Sequence, residues 1–212
     1  MLYCIFDIVL GDVVLGSLYV ESLLKLLFSF SEENYITESI YRILDNKQEK
    51  EWNEISQFEL PEDFIREFRN RVNWERISPC QNLSEEFIRE FRDMVHWERI
   101  SKYQKMSEEF IREFRDRVDW VCISEYQQLS EEFIREFQHR VDWYWISFDQ
   151  NLSEDFILEF RDSVDWAWIS CYQNLSEEFI CEFRDRVGWE WISCHQKLSD
   201  KFIRELRNRV DF

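Results

Sequence analysis

Apolar residues return along this chain on a 23-residue beat. Trp74, Trp97, Trp120, Trp143, Trp166 and Trp189 stand 23 residues apart, and Phe212 falls on the next beat. Trp52 opens the series one residue out of phase, with one position missing before Leu60. The residues around each tryptophan return with it, as in Leu83-Ser-Glu-Glu-Phe-Ile-Arg-Glu-Phe-Arg-Asp-Met-Val-His-Trp97-Glu-Arg-Ile-Ser101. Self-similarity at a fixed period of this size marks a repeat architecture.

Within one repeat the pattern predicts two helices. In the third copy Phe110, Ile111, Phe114 and Val118 fall on one helical face, which predicts a helix A from Ser107 to about Val118. Ser107 is a good N-cap, and Glu108 and Glu109 suit the positive end of the helix dipole. Met106 before the cap and Ile111 after it are spaced as a hydrophobic staple. A second cap position follows. The residue before each beat is Asn73, His96, Asp119, Asp142, Asp165, Gly188 or Asp211, most of them good N-caps. Val118 and Ile123 repeat the staple spacing around it, so a short helix B is predicted over residues 120–127. Helices this short are marginal alone in water, so neighbouring units must supply the missing burial.

The fold expected is therefore all-α: an α-solenoid of two-helix 23-residue repeats over residues 51–212, about seven units with the last truncated after its helix A, of either hand. Residues 1–50 read as an N-terminal hydrophobic helical cap, which the open end of a repeat core needs. Ser17, Glu21 and Lys25 make a narrow polar stripe on an apolar helix through Phe28, and a second helix starts at Ser31 and carries Ile36, Ile40, Ile43 and Leu44. Residues 2–10 fit a strand or a helix. Asp7, Asp12, Glu21 and Lys25 interrupt the apolar run and no positive segment precedes it, so a buried segment is expected rather than a signal or a membrane anchor.

Charge narrows the partners. With 26 basic against 44 acidic residues the net charge is -18, a field that repels phosphate backbones, so no nucleic-acid partner is expected. Cys4, Cys80, Cys122, Cys171, Cys181 and Cys194 form no CxxC pair and follow no signal peptide. Reduced thiols in a cytoplasmic setting are expected.

The string Leu-Ser-Glu-Glu-Phe-Ile-Arg-Glu-Phe, followed by Val-Asp-Trp-x-Trp-Ile-Ser-x-x-Gln-x-Leu-Ser, returns with few changes over residues 52–212. It resembles the short tandem helical repeats of proteins from giant amoeba-infecting DNA viruses. The resemblance implies a viral protein of the host-cell cytoplasm, and brings no activity, cofactor or site residue with it.

Candidate chemistry is sparse. Glu67, Glu90, Glu113, Glu136, Glu159, Glu182 and Glu205 share one repeat position, which reads as a salt-bridged helix face, with Glu113 facing Arg117 and Glu108 facing Arg112. Ser124 and Gln127 recur in almost every unit and are expected to bond helix ends between units, or else to grip an extended peptide. His96, His139 and His195 occupy three different repeat positions. No catalytic residue, cofactor-binding residue or metal ligand is indicated.

One position changes while its surroundings do not: Arg76, Arg99, Cys122, Trp145, Trp168 and Trp191. Aligned in a solenoid, this row is a candidate partner-binding surface, since Trp and Arg are enriched at binding hot spots. The alternative is that each second tryptophan covers the framework tryptophan of its own unit. The varying pairs Lys102-Tyr103, Glu125-Tyr126, Phe148-Asp149 and Cys194-His195 border the same row. At the C-terminal end Phe202, Leu206, Val210 and Phe212 lack a following unit and are candidates for self-association as a homodimer. The function expected is a non-enzymatic protein-interaction scaffold for a host or viral protein. The alternative is a self-associating structural or assembly component of a virion or viral factory.

Overall fold

The computed structural model describes Leu44 and residues 47–209, with side chains as far as Arg204. The expected cap, apart from Leu44 and residues 47–50, lies outside the described residues, as do the side chains of Leu206, Val210 and Phe212. The chain divides into two compact units between Ile100 and Ser101, a division that lies within the repeat array.

All regular structure among the described residues is helical, and the helices alternate in two short kinds. The A helices are Glu62–Glu67, Glu85–Glu90, Glu108–Glu113, Glu131–Glu136, Glu154–Glu159 and Glu177–Glu182. The B helices are Trp74–Cys80, Trp97–Tyr103, Trp120–Tyr126, Trp143–Asp149, Trp166–Tyr172 and Trp189–His195. Glu49–Ile55 precedes them and Asp200–Arg209 follows. Each unit is thus an α-solenoid stack of two-helix repeats.

The caps fall where the sequence puts them. Ser84, Ser107, Ser130, Ser153 and Ser176 each accept the backbone N–H three residues on, and Asn73, Asp119, Asp142 and Asp165 do the same for the B helices. Such caps contribute about 1 kcal/mol each. Gly188 has no side chain to cap with.

Helix A is shorter than its apolar stripe. It stops at Glu113, because Phe114 leaves the helical region at φ -108°, ψ 26°. A tight turn then carries the chain to Val118, whose N–H bonds the Phe114 carbonyl at 3.1 Å. Phe110, Ile111, Phe114 and Val118 are all buried, so the stripe predicted the core correctly and the helix end wrongly. The turn frees the Arg115 carbonyl, which accepts the Trp120 indole N–H at 2.9 Å. The same bond recurs from Trp74 to Arg69, Trp97 to Arg92, Trp143 to Gln138, Trp166 to Arg161 and Trp189 to Arg184. This is one physical reason the beat falls on tryptophan: the indole satisfies a carbonyl that the shortened helix leaves without a partner.

The tryptophan ring in turn packs on the next repeat. Trp143 lies 6.2 Å from Phe156 and 4.9 Å from Phe160, and Trp120 and Trp166 pack likewise on Phe133 and Phe137, and on Phe179 and Phe183. Ile123, Ile146 and Ile169 of the B helices are fully buried beside them.

Two polar side chains bind repeat to repeat. Ser124 Oγ donates to the Trp120 carbonyl and accepts the Asp142 N–H of the next repeat at 2.9 Å. Gln150 reaches back: its amide nitrogen donates to the carbonyls of Ser124 and Gln127 at 3.2 and 2.8 Å, and its oxygen accepts the Leu129 N–H at 3.0 Å. Gln127, Gln173 and Gln196 make the same three bonds one repeat apart. Buried backbone groups between helices are satisfied this way.

The glutamate row also works between repeats. Arg66, Arg112 and Arg135 donate Nε to Glu90, Glu136 and Glu159 at 2.7 Å, 24 residues apart. Glu108 pairs with Arg112 within its helix at 3.5 Å, as expected. Leu158 and Cys181 stand where the series would place its next arginines.

Trp52 marks the irregular start. Its helix begins three residues before the ring and ends at Ile55, and the missing position falls between Ser56 and Phe58. The ring is fully buried, and its indole N–H has no partner among the described residues.

Candidate interaction surface

Consecutive B helices of the second unit, Trp120–Tyr126, Trp143–Asp149, Trp166–Tyr172 and Trp189–His195, pack against one another. Residues two positions after each framework tryptophan therefore follow one another along that unit: Cys122, Trp145, Trp168 and Trp191. Cys122, Trp145 and Trp168 are half-buried and Trp191 is 38% exposed. In the first unit Arg76 is exposed and Arg99 half-buried.

The framework tryptophans Trp74, Trp120, Trp143 and Trp166 pack on the phenylalanines of the following A helix. Trp145 and Trp168 instead join a cluster of their own. Tyr144 meets Trp145 edge-on at 5.0 Å and Trp168 at 5.5 Å. Phe148 meets Trp145 at 5.8 Å and Trp168 at 4.9 Å, and lies 4.7 Å from Tyr172. Trp168 lies 5.7 Å from Tyr172. Edge-to-face rings at these separations hold one another at about 0.5–1.5 kcal/mol a pair beyond their burial. Tyr144 and Tyr172 remain 43% and 52% exposed. The cluster is a rigid aromatic platform open to solvent.

Phe148 was visible in the sequence as one of the varying pairs. Tyr172 shares the repeat position of Tyr103 and Tyr126 in those pairs, whereas Tyr144 was not singled out. The signal that finds Tyr144 is the position directly after the framework tryptophan, which reads Glu75, Glu98, Val121, Tyr144, Ala167 and Glu190.

The borders of the platform carry charge. Lys102 Nζ lies 5.4 Å from the Tyr103 ring and 4.9 Å from the Tyr126 ring, and its hydrogen bond with Tyr126 raises the ammonium pKa. Desolvation by its neighbours, with the charge of Glu125 adding to it, pushes the carboxyl of the exposed Asp149 up. Among the described residues neither Glu125 nor Asp149 forms an ion pair. At the far end the Trp191 ring lies over Gly188: a Cβ there would stand 2.8 Å from Trp191 Cδ1. The glycine thus trades the aspartate cap of the other repeats for room beneath that ring.

In the first unit the corresponding face is polar. Arg76 and Arg99 line a cleft of about 320 Å³ with Asn53, Asn73, Glu75, Pro79 and Cys80. Cys80, Cys122, Cys171, Cys181 and Cys194 are free thiols, and among the described residues no three His, Cys, Asp or Glu side chains are grouped to hold a metal ion. Of the residues expected at the C-terminal end, Phe202 is buried against Ile180, Val187 and Ile192 of its own chain. No helix among the described residues is long and apolar enough to cross a membrane.

Compared with family models, curated proteins and solved structures, the chain matches none.

Proposed function

We propose that the chain is a non-enzymatic protein-interaction scaffold, presenting the B-helix face of its second unit to a host or viral protein. The observation that carries this reading is the split between an invariant framework and a changeable face. The same caps, Ser and Gln bonds and Trp–Phe packing recur repeat after repeat, while the exposed B-helix positions vary and in the second unit gather Tyr144, Trp145, Phe148, Trp168 and Tyr172. Rigid, half-buried aromatics with exposed polar tips bind at low cost in conformational entropy. Substituting Trp145, Trp168 and Trp191 together by Ala should abolish capture of partner proteins from an infected-cell lysate while far-UV circular dichroism stays unchanged. Capture undiminished in that variant contradicts the proposal.

One observation favours self-association as a second reading. Trp189 and Trp191, in the last B helix, and Ile203, in the helix after it, are each more than a third exposed, apolar surface of the kind that favours contact between copies. A mass by light scattering that stays monomeric across a wide concentration range would count against it.

A further inference from the structure

We infer that the aromatic face of the second unit recognises a basic peptide segment of its partner, one arginine or lysine seating on the Tyr144–Trp145–Phe148–Trp168–Tyr172 platform and another reaching Glu125 and Asp149. This rests on the scaffold reading and names the chemistry of the occupant.

The chain itself shows what that row of rings accepts. Lys102 places its ammonium between Tyr103 and Tyr126, aromatic residues at one repeat position in successive units. Two repeats on, Phe148 stands at the position of Lys102 and packs on Tyr172, the counterpart of Tyr126, while the counterpart of Tyr103 is the carboxylate Asp149. The internal cation is gone there, and the rings are left to an external one. Arginine suits such a surface, because its guanidinium is weakly hydrated and stacks on ring faces.

Charge points the same way. From Asp142 to Gln196 the sequence carries 12 acidic and 3 basic residues. Those three, Arg161, Arg184 and Arg186, already pair with Asp162, Asp185 and Asp162 respectively. Asp149, without an ion-pair partner among the described residues, feels the negative charge of Glu125, which itself hydrogen-bonds Tyr126 and lies within the field of Lys102. A basic segment relieves that repulsion, whereas an acidic one meets it.

The test uses the full chain and a short fluorescent peptide alternating arginine and serine, read by anisotropy at physiological ionic strength, beside counterparts with glutamate or glutamine in place of arginine. The arginine peptide should bind and the other two should not. Trp145→Arg with Trp168→Arg should weaken binding about tenfold or more. These substitutions install the residue that Arg76 and Arg99 already place on the same framework, and circular dichroism checks that the fold is kept. Glu125→Gln with Asp149→Asn should weaken binding several-fold. Glu132→Gln with Asp155→Asn, the same charge change at exposed A-helix positions, should leave it unchanged.

Equal losses in the two charge-neutralised variants, with none in the tryptophan variant, would show general attraction to an acidic protein and overturn the inference. So would equal binding of the glutamine peptide. If the face holds a second copy of the chain, the peptide fails to bind and the tryptophan variant shifts the mass from dimer to monomer, which also overturns it. A lysate partner that needs the tryptophans but is not displaced by the arginine peptide would sink this inference and leave the scaffold reading standing.

Discussion

The two units share a framework and differ in the surface it carries. In both, serine and glutamine side chains tie neighbouring repeats, and the indole of each framework tryptophan caps the turn before it. Yet the two changeable B-helix positions read Glu75-Arg76 and Glu98-Arg99 in the first unit, against Val121-Cys122, Tyr144-Trp145, Ala167-Trp168 and Glu190-Trp191 in the second. One face is a polar cleft lined by two arginines and one glutamate, and the other an aromatic platform in acidic surroundings. Because the framework tolerates arginine and tryptophan at one position, that position is not what holds the repeats together. Stability and recognition rest on different residues.

The largest effect should come from breaking the shared framework. Gln150→Ala removes three bonds and leaves a buried N–H and two carbonyls without their partner, at a cost of roughly 3 kcal/mol or more in urea unfolding. That is a large part of the stability of an ordinary domain. Ser147→Ala strips the Asp165 N–H of its acceptor and should cost about 1–3 kcal/mol by the same measurement. Neither loss should depend on what the changeable face carries. If they shrink when Trp145 and Trp168 are replaced, framework and face are coupled and the comparison fails.

Smaller changes sharpen it. Leu158→Arg restores the series interrupted in the second unit, since Arg135 bonds Glu159 at 2.7 Å and covers the Phe156 ring at 4.9 Å. The arginine should meet Glu182 and Phe179 and raise stability by about 0.5 kcal/mol, seen as a slightly higher Tm that falls back in high salt. Asp149→Asn should give a smaller gain still. With its pKa raised in the fold, Asp149 holds its proton more firmly folded than unfolded, so its carboxylate costs stability as the pH rises through the acid range. The asparagine variant should therefore melt slightly higher at neutral pH and match the parent once Asp149 is protonated. A gain that persists in acid would place its cause elsewhere.

Much of the fold was legible in the sequence because it is local. Ser107 and Asp119 announce their helices, and Phe110, Ile111 and Phe114 announce the core, through spacings set within a few residues. The end of helix A was not legible. Phe114 continues the apolar stripe although its backbone has left the helix, and the turn is held by bonds the stripe does not show, from the Trp120 indole and Arg140 to the Arg115 carbonyl. The glutamates were legible as a salt-bridged face, as Glu108 and Arg112 show, but the short bonds from Arg112 to Glu136 and from Arg135 to Glu159 run between repeats, where spacing along one helix cannot show them. The row from Arg76 to Trp191 was legible by its variation, whereas its grouping with Tyr144 and Tyr172 depends on how successive B helices pack.

The separation of framework from face is tested most directly by urea unfolding of two double variants with identical chemistry, Trp145→Arg with Trp168→Arg and Trp143→Arg with Trp166→Arg. The first pair lies on the changeable face. The second holds the Phe156 and Phe160 and the Phe179 and Phe183 contacts and two indole hydrogen bonds. The face variant should keep its helical circular dichroism and one cooperative transition near the parent midpoint, while the framework variant loses both. Equal loss in the two variants would mean that the second tryptophans are packing, and would contradict the account.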